Sequence, residues 1–156
     1  MKAIIGVSLL MLLCINLNAV EELTVEQSEQ AHYKQAQLTI EILNIEDLEG
    51  DIRIGVFNRS ENFLKQGFTY KNYIVKVQDS TETIIINDLP PGEYAFILYH
   101  DKNADTKMNR NFLGIPKEPF GFSNNLKPKF SKPTFEECKF LLEKDLVLQI
   151  PLIFYN

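Results

Sequence analysis

Residues 88–101 read DLPPGEYAFILYHD and contain the strongest strand signal of the chain. Pro90, Pro91 and Gly92 form a tight turn, and an apolar strand of at least six residues follows. Tyr94, Phe96 and Leu98 alternate with Ala95, Ile97 and Tyr99. Both sets are largely apolar, so both faces of this strand should be buried, which predicts a central position in a sheet.

The segments before this strand repeat a period of two residues, which is typical of half-buried strands. Four of them are recognisable: QLTIEIL (37–43), the stretch with Ile52, Ile54 and Val56, YIVKV (73–77) and TETIIIN (81–87). The turn LEGD (48–51) separates the first two, so we expect them to pair as a hairpin. Asp79 and Ser80 separate the other two.

The C-terminal part adds one helix and one strand. PTFEECKF (133–140) places Thr134 and Glu137 three residues apart, as a capping box requires, and predicts a short helix. LVLQIPLIF (146–154) sends Leu146, Leu148, Ile150 and Leu152 to one side. Pro151 lacks a backbone donor, so this strand should lie at a sheet edge or end near a bulge.

Short strands without strand–helix alternation indicate an all-β protein. We expect residues 36–156 to form an antiparallel β-sandwich, transthyretin-like or immunoglobulin-like, with one short helix. A chain of 156 residues has room for one such domain.

The N-terminus predicts export. Lys2, an apolar run from Ala3 to Ile15 and small Ala19 are typical of a signal peptide spanning 1–19, and the run is too short for a membrane anchor. The polar, acidic residues 20–35 should form a flexible leader. We therefore expect a protein of the periplasm, the cell surface or the extracellular medium, without an integral membrane span after cleavage.

The charge and the cysteine content of the chain limit the partners and the covalent links that we expect. The whole chain has 16 basic and 21 acidic residues, and removal of 1–19 takes away one lysine, leaving a net charge of −6. Nucleic acid is therefore not an expected partner, since phosphate binding needs a basic face. Cys14 leaves with the signal, so Cys138 alone remains and no disulfide within the mature chain is possible.

The loop after the central strand contains a half-complete calcium motif. Asp101, Asn103 and Asp105, the carbonyl of Lys107 and Asn109 follow the alternating spacing by which an EF-hand loop surrounds a hard cation. Thr106 stands where the sharp turn favours glycine, and Phe112 stands where a glutamate would close the shell. Glu118 could reach round from a later turn. The alternative is a set of stacked Asx turns that need no ion.

The segment GIPKEPFGFSNN (114–125) is the second candidate site. Its prolines and glycines restrict the backbone, and we expect Phe112, Ile115, Phe120 and Phe122 to pack it as an ordered loop. The side chains predicted to bind a polar ligand are His100, Glu118, Ser123, Asn124 and Asn125. The alternative is a structural plug at one end of the sandwich.

No catalytic residue is assigned. Cys138 lacks a cysteine-protease signature and Ser123 lacks the G-x-S-x-G spacing. His100 ends the central strand without a partner histidine or thiolate, so a hydrogen-bonded strand-end residue is favoured over a zinc ligand.

The chain from about Ala36 to Phe154 resembles domain of unknown function family 2141, small exported bacterial proteins. The resemblance rests on three motifs: G-x-Y-A at Gly92, H-D-x-N-x-D at His100 and G-I-P-x-E-x-F-G-F-S-N at Gly114. Thr106 and Asn109 depart from the glycine and aspartate that the family often has in the loop. The resemblance implies a sandwich related to transthyretin-like or carboxypeptidase-regulatory domains, and export, without an assigned activity.

The expected function is a non-enzymatic binding module. Loop 100–125 would take calcium as its one suggested cofactor and bind a polar ligand or a protein partner. Two alternatives stay open: a hydrolase acting on extracellular carbohydrate or peptide through Asp101, Asp105, Glu118 and His100, and an assembly subunit pairing through its edge strand.

Overall fold

The fold is seen in a computed structural model that describes residues 35–128 and 131–155. The predicted signal peptide and nearly all of the predicted leader lie outside the described residues. The described part belongs to one compact unit, Gln35–Asn156.

Eight strands, two 3-10 turns and one short helix make up the described chain. The strands are β1 (Leu38–Leu43), β2 (Asp51–Phe57), β3 (Lys71–Lys76), β4 (Glu82–Ile86), β5 (Gly92–Asp101), β6 (Phe120–Phe122), β7 (Phe140–Leu142) and β8 (Leu146–Pro151). The 3-10 turns are Ser60–Asn62 and Ser123–Asn125, and the helix, α1, is Phe135–Cys138.

The strands form two sheets, which confirms the predicted all-β sandwich. One sheet has the order β4-β1-β8, and the other has the order β3-β2-β5-β6, with β7 also paired to β5. Strand β5 is central, as its two apolar faces predicted, and β8 lies at an edge, as Pro151 predicted. Within α1, Thr134 and Glu137 form the predicted capping box.

Two expectations about strand pairing were wrong. Strands β1 and β2 do not form a hairpin, because β1 pairs with β4 and β8 while β2 pairs with β3 and β5. The intervening residues 44–50 cross from one sheet to the other, and the amide of Ile45 donates to the carbonyl of Ser80 on the way. The sandwich is also not wholly antiparallel, because β1 and β8 run parallel.

Two apolar clusters lie on opposite faces of β5. The first fills the space between the sheets and contains the inward residues of β1, β2 and β5, such as Ile40, Ile54 and Phe96. The second covers the outer face of the five-stranded sheet and contains Phe57, Ala95, Phe120, Phe122, Phe135 and Cys138. Strand β6 and strand β7, which carry parts of these clusters, were not predicted from the sequence.

Candidate functional site

The loop between β5 and β6 is held by the buried carboxylate of Asp101. One oxygen, Oδ2, accepts hydrogen bonds from Nε of Arg53 at 2.6 Å and from the amide of Thr106 at 2.9 Å. The other, Oδ1, accepts from the amide of Asp105 at 3.1 Å. Because Asp101 is fully buried, these donors replace water around its charge and fix the first turn of the loop.

Glu118 holds the other end of the loop in the same way. Its side chain is buried, and Oε2 accepts a hydrogen bond from the amide of Asn109 at 2.9 Å. Burial raises the pKa of Glu118 above its ordinary value, and the nearby Asp101 and Asp105 charges act in the same direction.

Three exposed or half-exposed side chains converge outside these two carboxylates. Oδ2 of Asp105 accepts from Nδ2 of Asn109 at 2.8 Å and from Nδ2 of Asn103 at 3.2 Å. Nδ2 of Asn103 also lies 3.1 Å from Oδ1 of Asn109. The Asn109 amide lowers the pKa of Asp105 most, followed by the backbone amide of Lys107, which donates at 2.9 Å.

The predicted metal ligands therefore divide into two groups. Asn103, Asp105 and Asn109 meet at one point, whereas Asp101 lies beneath them with both oxygens accepting N–H groups. Within residues 35–128 and 131–155, no group of three or more His, Cys, Asp and Glu residues is placed to hold a metal ion. A cation at this point would depend on amide and backbone oxygens together with the Asp105 carboxylate.

The backbone adopts the left-handed conformation at Ala104 and at Thr106, the position where a calcium loop favours glycine. Thr106 has φ +69° and Ala104 has φ +56°. A β-branched residue at positive φ is strained, because its Cβ crowds the backbone. The loop therefore makes a sharp turn at a position where threonine is strained.

His100 and Asp101 lie on opposite faces of β5. His100 shares the inner face with Leu98 and is fully buried, and its Nε2 lies 2.7 Å from the carbonyl of Glu49. A carbonyl only accepts, so Nε2 carries the proton, and Nδ1 has no hydrogen-bond partner among the described atoms. A hydrolytic site that uses both His100 and Asp101 is not assembled, since successive strand residues point apart.

The other predicted binding residues hold the chain after β6 in place. Ser123 is fully buried, and its Oγ accepts from the amide of Phe96 at 3.0 Å and donates to the carbonyl of Cys138 at 2.6 Å. Nδ2 of Asn124 donates to the carbonyl of Lys139 at 2.7 Å. Asn124 and Asn125 have φ +62° and +53°, which explains two asparagines in succession, because asparagine tolerates this region.

The expectation that Phe112 and Ile115 pack within the loop was wrong, because both side chains are exposed. Phe112 is 96% exposed and Leu113 is 68% exposed, at the tip of a turn that closes on Asn111. Oδ1 of Asn111 accepts from the amides of Leu113 at 2.9 Å and Ile115 at 3.0 Å. Phe120 and Phe122 are buried as expected. The Asn111 to Gly114 segment carries the turn signal that sequence analysis missed.

An open groove of about 1500 Å³ lies beside this tip, on the outer face of the five-stranded sheet. Aromatic and aliphatic side chains from the second apolar cluster form much of its floor, including Phe57, Phe120 and Phe122. The charged residues of its lining are all basic: Arg53, Lys65, Lys107, Arg110, Lys117 and Lys132. Composition did not predict this groove, because the whole chain is acidic.

The chain matches the model of a known protein family. A family model described as "Uncharacterized protein conserved in bacteria (DUF2141)" matches residues 40–149. No curated protein and no solved structure matches significantly. Among the described residues, no helix has the length and apolar character needed to cross a membrane.

The matched segment begins within β1 and ends within β8, and it contains the whole loop between β5 and β6. The chain is therefore a member of the bacterial family DUF2141.

Proposed function

We propose that this protein is an exported, non-enzymatic binding module that uses loop 100–125 as its ligand-binding end, with calcium ordering the exposed part of the loop. Export, to the periplasm, the cell surface or the medium, is supported by the sequence of residues 1–19 alone. The binding role is supported by the way the loop is built.

The observation that carries the proposal is the convergence of Asn103, Asp105 and Asn109 within 2.8–3.2 Å of one another at the surface. The oxygen and nitrogen of a side-chain amide exchange places on a half-turn of the amide group. Rotated in this way, Asn109 would present its oxygen beside the Asp105 carboxylate. The Oδ1 of Asn103 already accepts from the amide of Asp105 at 3.2 Å, so Asn103 would give up this bond if its amide group rotated. Ca²⁺ prefers such oxygen ligands.

Asp101 and Glu118 supply the support for this cluster. Their carboxylates accept hydrogen bonds from the backbone amides of Asp105, Thr106 and Asn109, so the loop is shaped without any ligand present. A preformed loop loses less entropy on binding than one that must be ordered. Ion binding would then reorganise side chains rather than the backbone.

Two side chains that could take part in catalysis, those of Cys138 and His100, are buried, which supports a non-enzymatic role. Burial raises the pKa of the Cys138 thiol to about 12, so the thiolate that nucleophilic chemistry needs is not formed at neutral pH. His100 lies on the core face of β5, opposite Asp101.

Thermal unfolding of residues 20–156 tests the calcium part of the proposal. With Ca²⁺ at a hundredfold excess over its dissociation constant, a folded-state site adds about 2.7 kcal/mol to the free energy of unfolding and raises the melting temperature. Asp105→Asn should abolish this rise. The control Asp79→Asn, in the turn between β3 and β4, should retain it. A wild-type melting temperature unchanged at millimolar Ca²⁺ would rule calcium out.

A further inference from the structure

The tip of the β5–β6 loop exposes apolar side chains on a fixed turn. Phe112 is 96% exposed and Leu113 is 68% exposed. Exposed phenylalanine and leucine side chains next to one another lose the free energy that burial would give them. Other apolar side chains are also exposed, such as Ile74 at 59%, but Phe112 is the most exposed of them, which makes the tip the first place to look for an interaction.

The turn that carries these side chains is closed by hydrogen bonds from both backbone and side-chain donors. The amide of Asn111 donates to the carbonyl of Ile115 at 2.9 Å, and the amide of Gly114 donates back to the carbonyl of Asn111 at 2.9 Å. Nη1 of Arg110 donates to the carbonyl of Gly114 at 3.0 Å. Gly114 has φ +79°, which this turn needs and glycine adopts freely. The apolar side chains therefore project from a shaped turn.

Between Asp105 and Glu118, whose carboxylates both accept from Asn109, the charged residues are of one sign. From Thr106 to Lys117 the chain has Lys107, Arg110 and Lys117 and no acidic residue, although the whole chain has a net charge of −5. These three side chains also line the groove behind the tip. The base of the tip is thus locally positive on an acidic protein.

We infer that the tip, residues 111–115, inserts into an anionic lipid surface, with the basic side chains around it at the level of the headgroups. Apolar side chains enter the boundary between headgroups and acyl chains, while the long stems of lysine and arginine let their charges stay among anionic headgroups. An anionic lipid surface matches both the apolar tip and its basic rim, formed by Lys107, Arg110 and Lys117. An anionic polysaccharide would match the basic rim alone.

This inference rests on the proposed function only in taking loop 100–125 as the binding end. It does not require calcium, because the hydrogen bonds that shape the tip are formed within residues 110–115. The vesicle assays below are therefore run both with Ca²⁺ and with a chelator, so that failure of the calcium site leaves them interpretable.

The first assay measures binding of residues 20–156 to vesicles, which avoids the apolar signal segment. We expect binding to vesicles containing phosphatidylglycerol and little binding to pure phosphatidylcholine. Phe112→Ser combined with Leu113→Ser should weaken binding about tenfold or more. Leu141→Ser, which removes a 53% exposed side chain on β7, should leave it unchanged. Equal melting temperatures of the double-serine variant and the wild type show that the exposed tip is not needed for folding.

The second assay reports insertion directly. The chain has no tryptophan, so Phe112→Trp places a single tryptophan at the tip, which can be excited separately from the six tyrosines. We expect its emission to shift to shorter wavelength on phosphatidylglycerol vesicles, and the emission of the control Leu141→Trp to stay unshifted. Absence of wild-type binding, binding unchanged by the double serine substitution, or an unshifted Phe112→Trp spectrum would each overturn the inference. The second outcome would indicate attraction by the basic rim alone, as for a polysaccharide.

Discussion

At the scale of single residues, Thr106 shows the conflict between the loop's shape and its sequence. Its φ is +69°, where a β-branched side chain is strained. The loop uses only the backbone of this residue, since its amide donates to Asp101 and its carbonyl accepts from Tyr99. The strain is held in place by these two partners.

Replacing Thr106 with glycine should therefore stabilise the protein. Relief of the left-handed strain is offset in part by the greater freedom of glycine in the unfolded chain, so we expect a gain of about 0.5–1 kcal/mol in the free energy of unfolding. Urea denaturation measures it. Thr106→Ala keeps a Cβ at the same φ and should give no such gain. A glycine variant less stable than the wild type would show that the backbone is not strained there.

The raised pKa of Glu118 predicts how the stability of the protein depends on pH. Burial raises its pKa in the folded state above the unfolded value, so the folded protein binds more protons between the two values. Its contribution is fully present below the unfolded pKa and is lost as the pH rises through the folded pKa. The stability of the wild type relative to Glu118→Gln should therefore fall as the pH is raised from about 4 to about 7. A flat or rising difference would contradict the assigned shift.

Residue roles were predictable where spacing alone fixes them. The alternation of residues 94–101 puts His100 and Asp101 on opposite faces, and the spacing of Asn103, Asp105 and Asn109 brings their side chains together. The partners that come from elsewhere in the chain were not predictable. Arg53 reaches Asp101 from the neighbouring strand, and no local pattern indicates this contact.

At the scale of elements, Gly121 sets how closely β6 approaches the other sheet. A Cβ at this position would lie 2.6 Å from Cγ2 of Ile150 on β8. The segment GFS was predicted to be ordered because of its restricted backbone, whereas the structure uses glycine here to let the two sheets pack.

Gly121→Ala should lower the free energy of unfolding by about 1–3 kcal/mol through overpacking. Ile150→Ala alone should also be destabilising, by about 2–5 kcal/mol, because Ile150 is buried. The double variant should cost less than the sum, since each change removes the other's clash or cavity. Additive costs, measured by urea denaturation, would show that the two side chains do not compete for this space.

Element type was easier to predict than element pairing. Strands β1, β2, β5 and β8 and the capped helix α1 follow from period and capping, which are local. The hairpin of β1 and β2 was expected because they are adjacent in sequence, but Ile45 leads the chain across to the other sheet. Strands β6 and β7 have three residues each, too short for a period to be recognised.

At the scale of the whole molecule, the two apolar clusters share strand β5, and Cys138 lies in the outer one. Its thiol is fully buried and its pKa is raised to about 12. Ser123 ties this region to β5 by bonding both the amide of Phe96 and the carbonyl of Cys138. We therefore expect the outer cluster to unfold together with the sandwich.

Thiol labelling tests this coupling. In residues 20–156 Cys138 is the single cysteine, so alkylation should be slow in the native protein and should accelerate with denaturant in parallel with global unfolding. Cys138→Ala controls for labelling elsewhere. Rapid labelling of the native protein at neutral pH would mean that α1 opens independently of the sheets.

We propose above that loop 100–125 forms a preformed ligand site, ordered by calcium, at one end of the sandwich. Titration of Ca²⁺ into isotope-labelled residues 20–156, followed by amide resonances in NMR spectra, tests it most directly. We expect saturable shifts of the amide resonances of residues 101–118, while the amide resonances of β3 and β4 stay unshifted. Unchanged spectra at millimolar Ca²⁺, or weak unsaturable shifts spread over the acidic surface, would contradict it.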